Sequence, residues 1–122
     1  MTELELKTKL VGLESLKEQR RAINEKITEF QDSINQHYID KAKERFADLN
    51  MGDKIVVTEK TWDGKEYQRE PGFFYDVRFS HYSTSPETIV LVMKKAKKDG
   101  SMGLREETVY VRRIVKVEKV TE

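Results

Sequence analysis

From Thr2 to Leu49 the chain runs without a proline and with one glycine, Gly12. Leu, Lys, Glu, Gln, Arg and Ala fill the segment, and all of them are good helix formers. A backbone with no interruption over that distance has little to become except helix. Thr2-Glu3-Leu4-Glu5 carries the spacing of a capping box, with Thr2 as the cap and Glu5 reaching back. Asn50-Met51-Gly52 is a natural stop, since glycine takes the left-handed turn that ends helices. The expectation is one helix spanning residues 2–50.

With Leu6 at heptad position a, the a positions are Leu6, Leu13, Arg20, Ile27, Ile34 and Lys41, and the d positions Lys9, Leu16, Ile23, Phe30, His37 and Glu44. The apolar seam Leu13, Leu16, Ile23, Ile27, Phe30, Ile34 is good over about three heptads, the lower limit of a coiled-coil signal. Beyond Ile34 the apolar residues shift to Tyr38, Ala42, Phe46 and Leu49, the spacing of a helix turned toward a globular core. A helix of some 47 residues is about 70 Å long. The rest of the chain makes a domain only about 22 Å across. The seam therefore needs a cover: a second copy, a helix of another protein, or its own second half if Ser33-Ile34-Asn35-Gln36 opens a turn. The unbroken seam favours the continuous helix, with self-pairing as the commonest cover.

At Asp53 the pattern changes to that of strands. Lys54–Thr58 is β-branched, Asp63-Gly64 is a strong hairpin signal, and Phe73–Phe79 is a strand dense in aromatics. Thr88–Met93 is an apolar run of strand length, expected to be central and buried on both faces. Asp99-Gly100 marks a second hairpin, leading into Glu107–Val111. Arg112-Arg113 marks a kink before the final alternation Ile114–Val120. Five or six short strands joined by hairpins predict a small antiparallel barrel over residues 52–120. The fold class is then α+β, a long coiled-coil-like helix followed by a small barrel.

The order Gly52-Asp53-Lys54-Ile55-Val56-Val57, then an aromatic strand, an apolar strand and two Val-rich strands, resembles SH3-like small barrels, including KOW and Tudor-type modules. The resemblance covers about 65 residues of the C-terminal half. It implies a binding module without chemistry of its own, whose partners are peptides, proteins or nucleic acid.

Catalytic signals are thin. There is no cysteine, hence no thiol nucleophile, disulfide or Cys-based zinc site. His37 falls at a seam position and His81 beside a loop, and neither sits in a nucleophile or metal spacing. No glycine-rich phosphate loop occurs. The expectation is a protein that is not an enzyme and needs no cofactor or metal. No apolar stretch approaches membrane-spanning length and the first residues lack a secretory signal pattern, so a soluble cytoplasmic protein with no membrane partner is expected.

Two surfaces could bind. With 23 basic and 22 acidic residues the chain is nearly neutral, whereas a protein living on phosphates usually carries a basic excess. The charge is uneven, however: residues 94–122 hold 9 basic and 5 acidic residues. Lys94, Lys95, Lys97 and Lys98, with Arg112 and Arg113, form a basic patch for nucleic acid or an acidic partner. In Phe73–Phe79, strict alternation sets Phe73, Tyr75, Val77 and Phe79 toward the core and leaves Phe74 outside. Phe74 would then join Trp62 and Tyr82 in an exposed aromatic patch. The leading expectation is a protein–protein interaction module, an adaptor or small inhibitor of the kind phages and mobile elements encode. Its helix would serve homodimerisation or docking on a partner of unknown identity. The alternative is a nucleic-acid-binding module.

Overall fold

The capping box at Thr2 forms as its spacing predicts. The Thr2 hydroxyl accepts from the Glu5 amide (3.2 Å) and the Glu5 carboxylate accepts from the Thr2 amide (3.4 Å), satisfying two donors that a helix start otherwise leaves open. From there the computed structural model, which describes residues 1–80 and 84–120, holds one α-helix, α1, Glu3–Arg45. No turn opens at Ser33. The helix stops four residues short of Leu49: the amides of Phe46, Ala47 and Leu49 bond carbonyls three residues back, the tightened last turn common at helix ends. Gly52 then takes φ +94°, the left-handed conformation that favours glycine.

The chain divides into two compact units, Met1–Ile34 and Asn35–Glu122. The first is helix alone, and every one of its residues is exposed. The second contains the end of α1 and, among the described residues, six strands: β1 (Lys54–Lys60), β2 (Glu66–Gln68), β3 (Gly72–Phe79), β4 (Ile89–Ala96), β5 (Met102–Tyr110) and β6 (Ile114–Lys119). All pairings are antiparallel. The sheet runs β2-β1-β3-β4-β5, with β6 also on β1. A single 3-10 turn, Val111–Arg113, links β5 to β6 where the sequence places a kink. The result is the expected α+β arrangement, a long helix followed by a curled antiparallel sheet, here a half-barrel. Its curl has a local cause: register shifts at Thr58/Glu59, Phe74/Asp76 and Lys94/Ala96, since each extra residue bends its strand and increases its twist.

Ile55, Val57, Leu91, Met93 and Val109 form the centre of the core, with Val77, Ile89 and Ile114 around them. β4 is central, as expected, and Ile89 to Met93 are buried without alternation. Phe46 and Leu49 close the core from the segment after α1, and Ile39 and Ala42 pack against it. The stripe that meets the sheet is therefore 39, 42, 46 and 49. Tyr38, expected there, stays exposed and meets His37 edge-on, ring centroids 5.7 Å apart. A stripe at spacing 3, 4 and 3 keeps these side chains in line along one face, and Tyr38 lies one position off it.

The bulge in β3 overturns the alternation read for that strand. Phe74 pairs with Met93 and Asp76 with Val92, so Tyr75 is the extra residue and the faces exchange across it. Phe74, Val77 and Phe79 all join the core, and Phe74 is not an outward aromatic. Tyr75 lies instead under the Lys94 ammonium, 4.5 Å from the ring centroid.

Candidate interaction site

Within the first unit, local interactions alone hold the helix. Glu3 and Glu5 sit in its first turn, where carboxylates oppose the positive end of the helix dipole. Glu18 and Arg21 pair one turn apart. The hydroxyls of Thr8 and Thr28 each donate to the carbonyl four residues back at 3.0 Å. The ion pair contributes only about 0.2–0.5 kcal/mol, the threonine bonds to carbonyls of the preceding turn add no stability, and most helical stability in proteins comes from packing an apolar face. That face exists here. Leu13, Leu16, Ile23, Ile27, Phe30 and Ile34 are all exposed, Phe30 at 68% and Ile27 at 58% of their full surface. Since α1 is one helix, their a and d positions place them in one stripe. The residues that pack on the sheet, Ile39 and Ala42, belong to positions f and b. The seam and the sheet contact thus use separate positions of the same repeat.

Chemically this site offers apolar surface and no reactive group. Arg20, at a, is the one charged interruption within the row.

The half-barrel distributes the remaining candidates over different settings. Trp62 sits at the β1–β2 turn and is 94% exposed. That turn is built by Asp63, whose carboxylate accepts from the Thr61 hydroxyl and from the Lys65 amide (3.3 Å), while Gly64 takes φ +83°. These bonds, the Thr61 hydroxyl first, hold the Asp63 carboxyl below its ordinary range. Tyr67 on β2 is exposed as well. Phe74 lines a cleft of about 280 Å³ with Lys43, Phe46, Ala47, Leu49, Asp76 and Val77. Trp62 and Phe74 therefore do not share a patch as the sequence suggested. Tyr82 and His81 lie outside the described residues.

The basic hairpin is split by its own carboxylates. Lys94, only 14% exposed at its side chain, reaches the Glu106 carboxylate at 3.1 Å, and Arg78 holds the same carboxylate from β3 at 2.6 Å. The Lys94 hydrogen bond, then Arg78, pulls the Glu106 carboxyl below its ordinary range. Lys95 lies 3.8 Å from Glu107. Lys97 and Lys98 are exposed near the Asp99-Gly100 turn. Arg112 and Arg113 are exposed too, with their guanidinium carbons 5.3 and 5.5 Å from the Tyr110 ring centroid.

Two groups escaped the sequence reading. Arg69 bridges Glu59 (2.8 Å) and Glu107 on the core side of the sheet. Half of the signal was present, because Glu59 continues the alternation of Ile55 and Val57. Arg69 as its partner depends on strand pairing and had no local mark. Arg45, at the end of α1, donates to the carbonyls of Val111 (3.1 Å) and Ile114 (2.6 Å), pinning the turn between β5 and β6. Among the described residues no three potential metal ligands cluster, and no helix is long and apolar enough to cross a membrane. No protein-family model, curated protein or solved structure matches the chain.

Proposed function

We propose that the chain is a non-enzymatic protein–protein interaction module, an adaptor or small inhibitor, in which the N-terminal helix pairs with another helix and the half-barrel presents a second surface. The observation that carries this reading is the row Leu13, Leu16, Ile23, Ile27, Phe30 and Ile34, exposed along a helix whose own unit contains nothing to cover it. Covering apolar surface is worth about 25 cal/mol per Å², so a partner helix would stabilise a segment that otherwise rests on weak local contacts. Trp62, exposed at a hairpin tip shaped by the Asp63 carboxylate, has the size and character of an anchor at the second surface.

The reading is tested by molar mass in solution and by partner capture, each at low and high salt. An assembly that survives high salt and is lost in Ile27→Asp is the expected result. Assembly and partner binding left unchanged by Ile27→Asp would overturn it. The nucleic-acid alternative is less well supported, because Lys94 and Lys95 already face Glu106 and Glu107. It predicts binding that falls steeply with salt, in contrast to an apolar interface.

A further inference from the structure

We infer that Thr61–Arg69 is a strap that peels from β1 while the rest of the half-barrel stays folded, and that Arg69 is the latch that closes it. The strap carries Trp62 near its tip, so the latch sets where this exposed tryptophan stands. Every residue from Trp62 to Gln68 is exposed, and no apolar side chain of Thr61–Arg69 belongs to the core or packs against it. β2 is three residues long and pairs with β1 alone, Thr58 with Gln68, Glu59 with Tyr67 and Lys60 with Glu66. The bonds that Asp63 accepts from Thr61 and Lys65 are internal to the segment. Outside the β1–β2 ladder, Arg69 makes the remaining ties among the described residues. Its amide donates to the Val57 carbonyl (2.9 Å), and its guanidinium holds Glu59 on β1 and Glu107 on β5.

Both ends of the strap are anchored without it. β1 keeps its ladder to β6 from Ile55 to Glu59, with Ile55 and Val57 fully buried. Gly72, where β3 begins, packs so closely that a Cβ there would lie 3.2 Å from the Lys94 carbonyl oxygen. Peeling the strap therefore breaks a short ladder and uncovers little apolar surface. Segments with few buried apolar contacts and solvent-exposed backbone bonds open locally, at free energies below that of global unfolding. The cost of opening is concentrated at Arg69. Lifting it strips the guanidinium from two largely buried carboxylates, Glu59 and Glu107, and an uncompensated charge in such a place is expensive.

Amide hydrogen exchange of the full chain against denaturant tests both parts. The amides of Thr61 and Arg69 bond the Lys65 and Val57 carbonyls at 2.8 and 2.9 Å, and both bonds break when the strap lifts. They should exchange with little dependence on denaturant, because the slope follows the surface exposed by the opening. The amides of Leu91 and Val92 in β4 should show the full slope of global unfolding. Arg69→Met should speed exchange at positions 61 and 69 about a hundredfold, as expected for a broken buried pair, and leave their slope small. Glu107→Gln keeps the Arg69–Glu59 pair and should speed them less. A slope at Thr61 and Arg69 equal to that of β4 would overturn the strap, and it is read on the unaltered chain, whether or not a variant folds. A small slope with a rate that Arg69→Met leaves unchanged would overturn the latch.

Discussion

Gly12 and Gly103 are expected to respond to alanine with opposite signs. A Cβ at Gly12 would meet nothing within 4 Å, and the residue sits inside a helix, where glycine costs roughly 0.5–1 kcal/mol relative to alanine. Gly12→Ala should therefore strengthen the N-terminal helix by about that amount, read as slower amide exchange around residue 12. At Gly103 a Cβ would lie 2.8 Å from the Lys95 carbonyl oxygen, a backbone atom that cannot swing away. Gly103→Ala should destabilise the half-barrel by roughly 1–3 kcal/mol in denaturant unfolding, the usual cost of overpacking. Turn carboxylates contribute to the acid response beside Asp53 and Glu106, which are also held below the ordinary range. Hydrogen bonds hold Asp63 and Asp99 below the ordinary carboxylate range, from Thr61 first in one and Ser101 first in the other. Groups with a depressed folded value contribute stability above their unfolded value, about 3.9, and lose it as pH falls toward the folded one. The contribution of these carboxylates should be constant above about pH 5 and decline below about pH 4. The Asp63→Asn, Asp99→Asn double variant should show a shallower decline; an unchanged acid limb would place its origin elsewhere.

At the scale of elements, the strands show how far local pattern reaches. Ile89–Met93 was legible as an inner, buried strand because an unbroken apolar run suits a strand covered on both faces, and here β3 and β5 flank it while Val90 and Val92 are buried as well as Ile89, Leu91 and Met93. β3 was legible as a strand but not in its facing, because one extra residue at Tyr75 reverses the alternation and no residue type marks that position. The same limit applies to Arg69, whose two carboxylates come from β1 and β5. Removing it leaves two carboxylates facing each other at the edge of the core. Arg69→Met should cost about 3 kcal/mol in denaturant unfolding, near the lower end for a broken buried pair because all three side chains retain some contact with water. Adding Glu59→Gln and Glu107→Gln should restore most of it. If Arg69→Met alone costs under about 0.5 kcal/mol, the triad does not tie the strands together.

For the whole molecule, the two units use different sources of stability. Asn35–Glu122 has its own core, built from strands and the end of α1. Met1–Ile34 has a cap, a few side-chain bonds and an exposed apolar stripe. Ile27→Asp should therefore abolish assembly and weaken the helix signal of the first unit. The thermal transition of the half-barrel should shift by less than about 2 °C, since no core contact is touched. A half-barrel transition that collapses with Ile27→Asp would show that the seam is bound up with the core.

Taken by itself, the sequence placed the helix end late and left β2 without a segment, but it determined the helix, its cap and the apolar heptad row, and five of the strands in their order. Each of these depends on residues close in the chain: an absence of proline, a Thr–Glu pair three apart, Asp-Gly turns, runs of Val and Ile. Only the tertiary structure decided that Phe74 faces inward, that Ile39 replaces Tyr38 at the core, and that Lys94 is tied to Glu106 and Tyr75. The first and last depend on strand register, where a one-residue slip exchanges the two faces of a sheet, and the second on which face of α1 meets the sheet; both are set by contacts between residues distant in sequence.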